Sequence, residues 1–72
     1  MNTNIKELKK IMLEGMSGRS FNYELMSVLN CSYTTAISRL SGRSKFTVKD
    51  AGRLKQHYEM TDEQFLKIFY GG

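Results

Sequence analysis

Apolar and polar positions alternate along this chain with a helical period, broken at five places by capping residues. Ile5, Leu8 and Met12, with Ile11 beside them, recur on one face and predict a first helix. Asn4 and Glu7 stand in the spacing of a capping box, and Gly15, in the stretch "EGMSG", is expected just past its end. A second helix is expected from about Asn22, carried by Leu25, Val28 and Leu29 and closed by Asn30, a residue that tolerates left-handed backbone. The third has Ser32 as its cap, Ala36 and Leu40 on one face, and Gly42 as its stop. Thr47 and Asp50 open a fourth, with Val48, Ala51, Leu54 and Tyr58 as its apolar stripe. Thr61 and Gln64 cap a fifth, Met60 and Phe65 fit a hydrophobic staple, and its body "FLKIFY" is apolar on nearly every side. No segment reads as a strand. The expected fold class is all-α: five short helices in a single domain over residues 1–72.

Helices two and three are separated by only "NCS". So short a connection between two short helices forces a steep crossing, the geometry of a helix-turn-helix, placed here at about residues 22–41. Leu25 and Leu29 supply the inner face of its first helix, Ala36 and Leu40 that of its second. Ala36 is small where the two helices come closest. The opposite face of the third helix then shows Tyr33, Thr34, Ile37, Ser38 and Ser41. Hydroxyls donate or accept, and the methyls of Thr34 and Ile37 suit a thymine methyl.

Charge sharpens this picture. The net charge is +4, but it is uneven. Arg39, Arg43, Lys45, Lys49, Arg53 and Lys55 crowd the middle against Asp50 alone, whereas Glu59, Asp62 and Glu63 follow with only Lys67. A basic middle favours a polyanion at that surface. Asn22, at a helix start, suits a phosphate. Arg43, Ser44 and Lys45 form a phosphate clamp behind the third helix. Neutralising four or five phosphates gives a slope of log affinity against log salt of roughly −4.

The run "NYELMSVLNCSYTTAISRLSGRSKFTVKDAGRLKQHYEMTDEQFLKIF" resembles the Cro-like and lambda-repressor-like helix-turn-helix regulators of temperate phages. "TTAISRLSGRSKFT" followed by "MTDEQFLKIF" is similar to small regulators from phages of Gram-positive bacteria. Length and layout resemble the modulator-of-repression antirepressors of lactococcal phages. The resemblance covers about residues 4–70. It implies a lambda-repressor-like DNA-binding domain in the lysis–lysogeny switch, acting with or against a CI-type repressor. It implies that Asn22 caps the second helix and touches phosphate, that Tyr33, Thr34 and Ser38 face bases, and that Gly42, Arg43 and Ser44 form the following loop. This chain departs from the pattern at Met26 and Asn30, where Ala and Gly are usual, and at Tyr33 and Thr34, where long amides are frequent.

The expected partners are double-stranded operator DNA, met as a homodimer, and a CI-type phage repressor. The alternative is an antirepressor that works mainly by binding the repressor, with little DNA binding of its own. Phe65, Leu66, Ile68, Phe69 and Tyr70 cannot all face one small core, and Phe65, Ile68, Phe69 and Tyr70 are the expected protein interface. No catalytic constellation, phosphate-binding glycine loop or metal cluster is legible, so neither an enzyme nor a cofactor is expected. His57 has no ligand partner at metal-site spacing, and Cys31 is expected as a buried structural thiol. One cysteine, no secretion signal in "MNTN" and no apolar run of spanning length lead to the expectation of a cytoplasmic protein of the bacterial host, without a membrane partner.

Overall fold

A computed structural model describes residues 3–16, 18 and 20–70. Met1, Asn2 and Ser17, which belong to stretches read above, lie outside them. The described residues form five helices and no strand: α1 (Ile5–Gly15), α2 (Phe21–Leu29), α3 (Tyr33–Ser41), α4 (Val48–His57) and α5 (Asp62–Phe69).

Each helix starts where a side chain takes over an orphan amide of its first turn. Asn4, Ser20, Ser32, Thr47 and Thr61 all accept from the backbone three residues on. Thr47–Asp50 and Thr61–Gln64 are complete, reciprocal capping boxes. The Asn4–Glu7 pair is only half of one: the Glu7 amide donates to Asn4 Oδ1 at 3.2 Å, while the Glu7 carboxylate turns to Lys10 and Lys67, at 3.4 and 3.7 Å. The expected start of α2 is corrected. Ser20 caps it, and Asn22 already lies within its first turn.

Helix ends follow the same logic. Asn30 (φ 54°) and Gly42 (φ 84°) adopt the left-handed conformation and stop α2 and α3. Gly15 does something else. It is the last residue of α1, and a Cβ there would lie 3.1 and 3.2 Å from the Tyr58 ring. Its value is close approach rather than a left-handed turn.

Among the described residues twelve buried side chains make the core, including Leu8, Met12, Leu25, Leu29, Ala36, Leu40, Ala51 and Leu54. Phe46, in the loop after α3, joins them and meets Phe69 edge-on at 6.0 Å. Val48 leaves the expected α4 stripe and is 72% exposed. At 3.6 residues per turn it falls well off the axis set by Ala51, Leu54 and Tyr58. The same rotation sorts α5. Ile68 and Phe69 are each 1% exposed, and Phe65 is half-buried against the core. Leu66 and Tyr70 stay outside at 54% and 55%. Ile68 and Phe69 are therefore core residues, which corrects their expected place in an interface. Only Phe65 and Tyr70 of that set reach the surface.

Longer-range ties lock the packing. Arg53 Nη1 donates to the Leu29 carbonyl at 2.8 Å, placing a cation at the C-terminal end of α2. The Tyr58 hydroxyl donates to the Glu24 carboxylate at 2.8 Å, joining α2 to the end of α4. Burial, then that bond and the Glu24 charge, push the Tyr58 phenol well above its usual range. The Asn4 amide donates to the Ile68 carbonyl, closing the chain's start onto α5. No described helix is long and apolar enough to cross a membrane.

Candidate nucleic-acid interface

α3 packs chiefly on α2, held by fully buried Ala36 and by Leu40 at the core's edge. The link between the two helices is short and doubly fixed. Asn30 turns in left-handed backbone, and Ser32 Oγ accepts from the Thr35 amide at 3.2 Å while its hydroxyl donates to Thr35 Oγ1 at 3.0 Å. α3 is thus presented on one side of the molecule with little freedom to rotate.

Its outward face is hydroxyl-bearing. Thr34 is exposed and Ser38 half-buried, and among the described residues neither side chain makes an intramolecular hydrogen bond. Ser41 is exposed, but its hydroxyl folds back onto the Ser38 carbonyl at 3.3 Å. Ile37 is half-buried and flanks this face. Tyr33 sits nearer the α2 side. It is 43% exposed, and its ring lies 5.3 Å from that of Tyr23, itself 58% exposed. Tyr23 escaped the sequence reading, since spacing along one helix says nothing of a ring on the next. Beside this pair opens a largely apolar recess of about 450 Å³ lined by Tyr23, Met26 and Cys31 with Ser20 and Ser27. Cys31 is half-buried rather than fully buried. Burial, helped by Asp50, pushes its thiol up, away from a reactive thiolate.

The loop after α3 is tied back to it. The Ser44 amide donates to the Ser38 carbonyl at 3.1 Å, and Arg39 Nη1 donates to Ser44 Oγ at 2.7 Å. Arg39 Nε reaches Asp50 Oδ2 at 3.1 Å, the same oxygen that accepts from the Thr47 amide at 3.0 Å. Burial would raise the Asp50 carboxyl. The Thr47 amide, the Arg39 guanidinium and the Thr47 hydroxyl outweigh it and hold that carboxyl below the usual carboxylate range. Arg43, Lys45 and Lys49 are exposed and, among the described residues, make no ion pair. Between Glu24 and Asp50 the chain carries no acidic residue.

Of the expected residues, Thr34 and Ser38 lie on the outward side of α3 with Ile37 flanking them, while Tyr33 turns towards Tyr23 of α2. The loop that carries Arg43, Ser44 and Lys45 is tied to α3 through the Ser44 amide on the Ser38 carbonyl, and Lys45 borders a recess shared with Thr3, Ile5 and Arg39. Asn22 lies in the first turn of α2, half-buried, and the cap is Ser20 instead. Ser20 stays hidden in the sequence because Asn22, two residues on, is an equally favoured capping type. Among the described residues no cluster of His, Cys, Asp or Glu could hold a metal ion. The chain matches no family model, and no curated protein or solved structure proved similar to it.

Proposed function

We propose that this chain is a phage-type transcriptional regulator, in which α2 and α3 form a helix-turn-helix of lambda-repressor-like design that binds operator DNA. α3 enters the major groove, where Thr34 and Ser38 meet base edges and Tyr33 and Ile37 offer apolar contact. Arg43, Ser44 and Lys45 hold phosphates on one side, and the first turn of α2, with Ser20 and Asn22, holds them on the other.

One observation carries the reading. A helix docked by Ala36 and Leu40 turns free hydroxyls outward into a cationic surround whose one acid, Asp50, is already paired. A solvated, non-functional face would mix both charge signs, and a core-facing helix would not leave Thr34 exposed. The resemblance to modulators of repression supplies the setting: a lysis–lysogeny switch in which this protein acts with or against a CI-type repressor. The experiment is selection of duplexes from a random-sequence pool, followed by titration of the enriched site with Thr34→Ala and Arg43→Ala.

The second reading is an antirepressor acting chiefly through the repressor protein. The apolar recess between Tyr23 and Cys31, and exposed Leu66 and Tyr70 on α5, favour it. Co-elution with a purified CI-type repressor, by a wild-type protein that retains no duplex at low salt, would select it over the first.

A further inference from the structure

Asp50 is the only acidic residue between Glu24 and Glu59, in the part of the chain that carries Arg39, Arg43, Lys45, Lys49 and Arg53. An uncompensated carboxylate there would repel the phosphates that its neighbours attract. Its partner is Arg39, and the two side chains are only 17% and 19% exposed. The Arg39 guanidinium is divided between two tasks: Nε pairs with Asp50 Oδ2 at 3.1 Å, and Nη1 donates to Ser44 Oγ at 2.7 Å. With its oxygen accepting from Arg39, the Ser44 hydroxyl keeps its own proton to donate elsewhere. The Ser44 amide is already fixed on the Ser38 carbonyl, so this hydroxyl is set relative to the outward face of α3.

We infer that Arg39 is a positioning residue for phosphate binding: it cancels the Asp50 charge beneath the loop after α3 and turns the Ser44 hydroxyl outward as a donor. This rests on the DNA reading of that surface. Arg39 does not itself serve as a groove contact, since its fork is occupied from within. A cation at the last turn of α3 would suit the helix dipole without any fork. The fork geometry is what joins an acid and a hydroxyl from two different segments, and a lysine cannot reproduce it.

The test uses Asp50→Asn, Arg39→Gln, the double variant, and Ser44→Ala in wild-type and Arg39→Gln backgrounds. Each is titrated against a short mixed-sequence duplex over a range of salt, with a circular-dichroism melt alongside. Asp50→Asn keeps an oxygen for the Thr47 amide while releasing the guanidinium. It should bind tighter, on the order of fivefold, with a salt slope steeper by about 0.9. Arg39→Gln should bind weaker by about the same factor, and the double variant should return to within about twofold of wild type. Ser44→Ala should weaken wild type but add nothing to Arg39→Gln, the non-additivity expected of one shared contact. A purely structural role would lower melting temperature and affinity together in both single variants. Asp50→Asn binding that is unchanged or weaker, in a protein still folded at the assay temperature, overturns the inference, and this result stands even if Arg39→Gln fails to fold. Wild-type protein that retains no duplex at low salt removes the DNA reading itself, and this role with it.

Discussion

Ala36→Leu probes the contact on which the presentation of α3 depends. Ala36 is fully buried in α3, which packs chiefly on α2, whose inner side carries Leu25 and Leu29 at 0% and 5% exposure. With Ala36 at 0% exposure, an added isopropyl group must displace its neighbours, so the helices part or side chains leave their rotamers. Overpacking of this kind costs about 1–3 kcal/mol. Helix propensity changes little between Ala and Leu, about 0.2 kcal/mol, and does not offset it. A chain of 72 residues has a total stability of roughly 4–11 kcal/mol. A loss of about 2.5 kcal/mol is thus a large share, and at about 4–8 °C per kcal/mol the melting temperature should fall by about 10–20 °C. The assay is a thermal melt followed by circular dichroism. Thr34→Leu is its control, placing a similar side chain on the exposed face of the same helix, where the cost should stay within about 0.5 kcal/mol. An Ala36→Leu protein melting with wild type, or no worse than Thr34→Leu, would refute the docking of α3 through Ala36.

Two glycines separate propensity from packing. Gly52, inside α4 with nothing near its missing Cβ, should gain about 0.5–1 kcal/mol on Gly52→Ala. Gly15→Ala should instead lose stability, because the Tyr58 ring it would press is held by Glu24; chemical denaturation reads both. The Asp50 carboxyl is held below its unfolded value, so its contribution is complete above about pH 4 and drains as pH falls through the folded value. Asp50→Asn should flatten that part of the acid limb in pH-dependent melts. Tyr58→Phe strands a half-buried Glu24 carboxylate at a cost of about 1 kcal/mol by urea denaturation. The raised Tyr58 phenol is stabilising below its unfolded pKa, and that stabilisation fades as pH rises through the folded value. The variant should therefore lose the corresponding alkaline dependence.

What the sequence reveals of this fold is what lies within a few residues. Caps at Asn4, Ser32, Thr47 and Thr61, and stops at Asn30 and Gly42, are local chemistry, and all are found where the spacing predicts them. The inner face of α3 is legible because Ala36 and Leu40 share one side of a helix between a clear start and a clear stop. Ser20 escapes because Asn22, two residues on, is an equally favoured capping type, and local spacing does not choose between them. α5 shows the limit of composition: an almost wholly apolar stretch gives no rotational phase, and only packing decides that Ile68 and Phe69 turn in while Leu66 and Tyr70 turn out. Arg53 and Tyr58 depend on partners far along the chain, Leu29 and Glu24, which no periodicity pairs. At the candidate site the positions of the hydroxyls and cations are readable in advance. The Tyr23–Tyr33 contact is not.

The most direct measurement of the central claim is the selection of duplexes from a random pool by wild-type protein and by Thr34→Ala. A groove-reading α3 should enrich one shared motif, bound by wild type with a salt slope of roughly −4, and lose that preference when the Thr34 side chain is removed. Enrichment of no motif, or of the same motif by both proteins with equal strength, would contradict it.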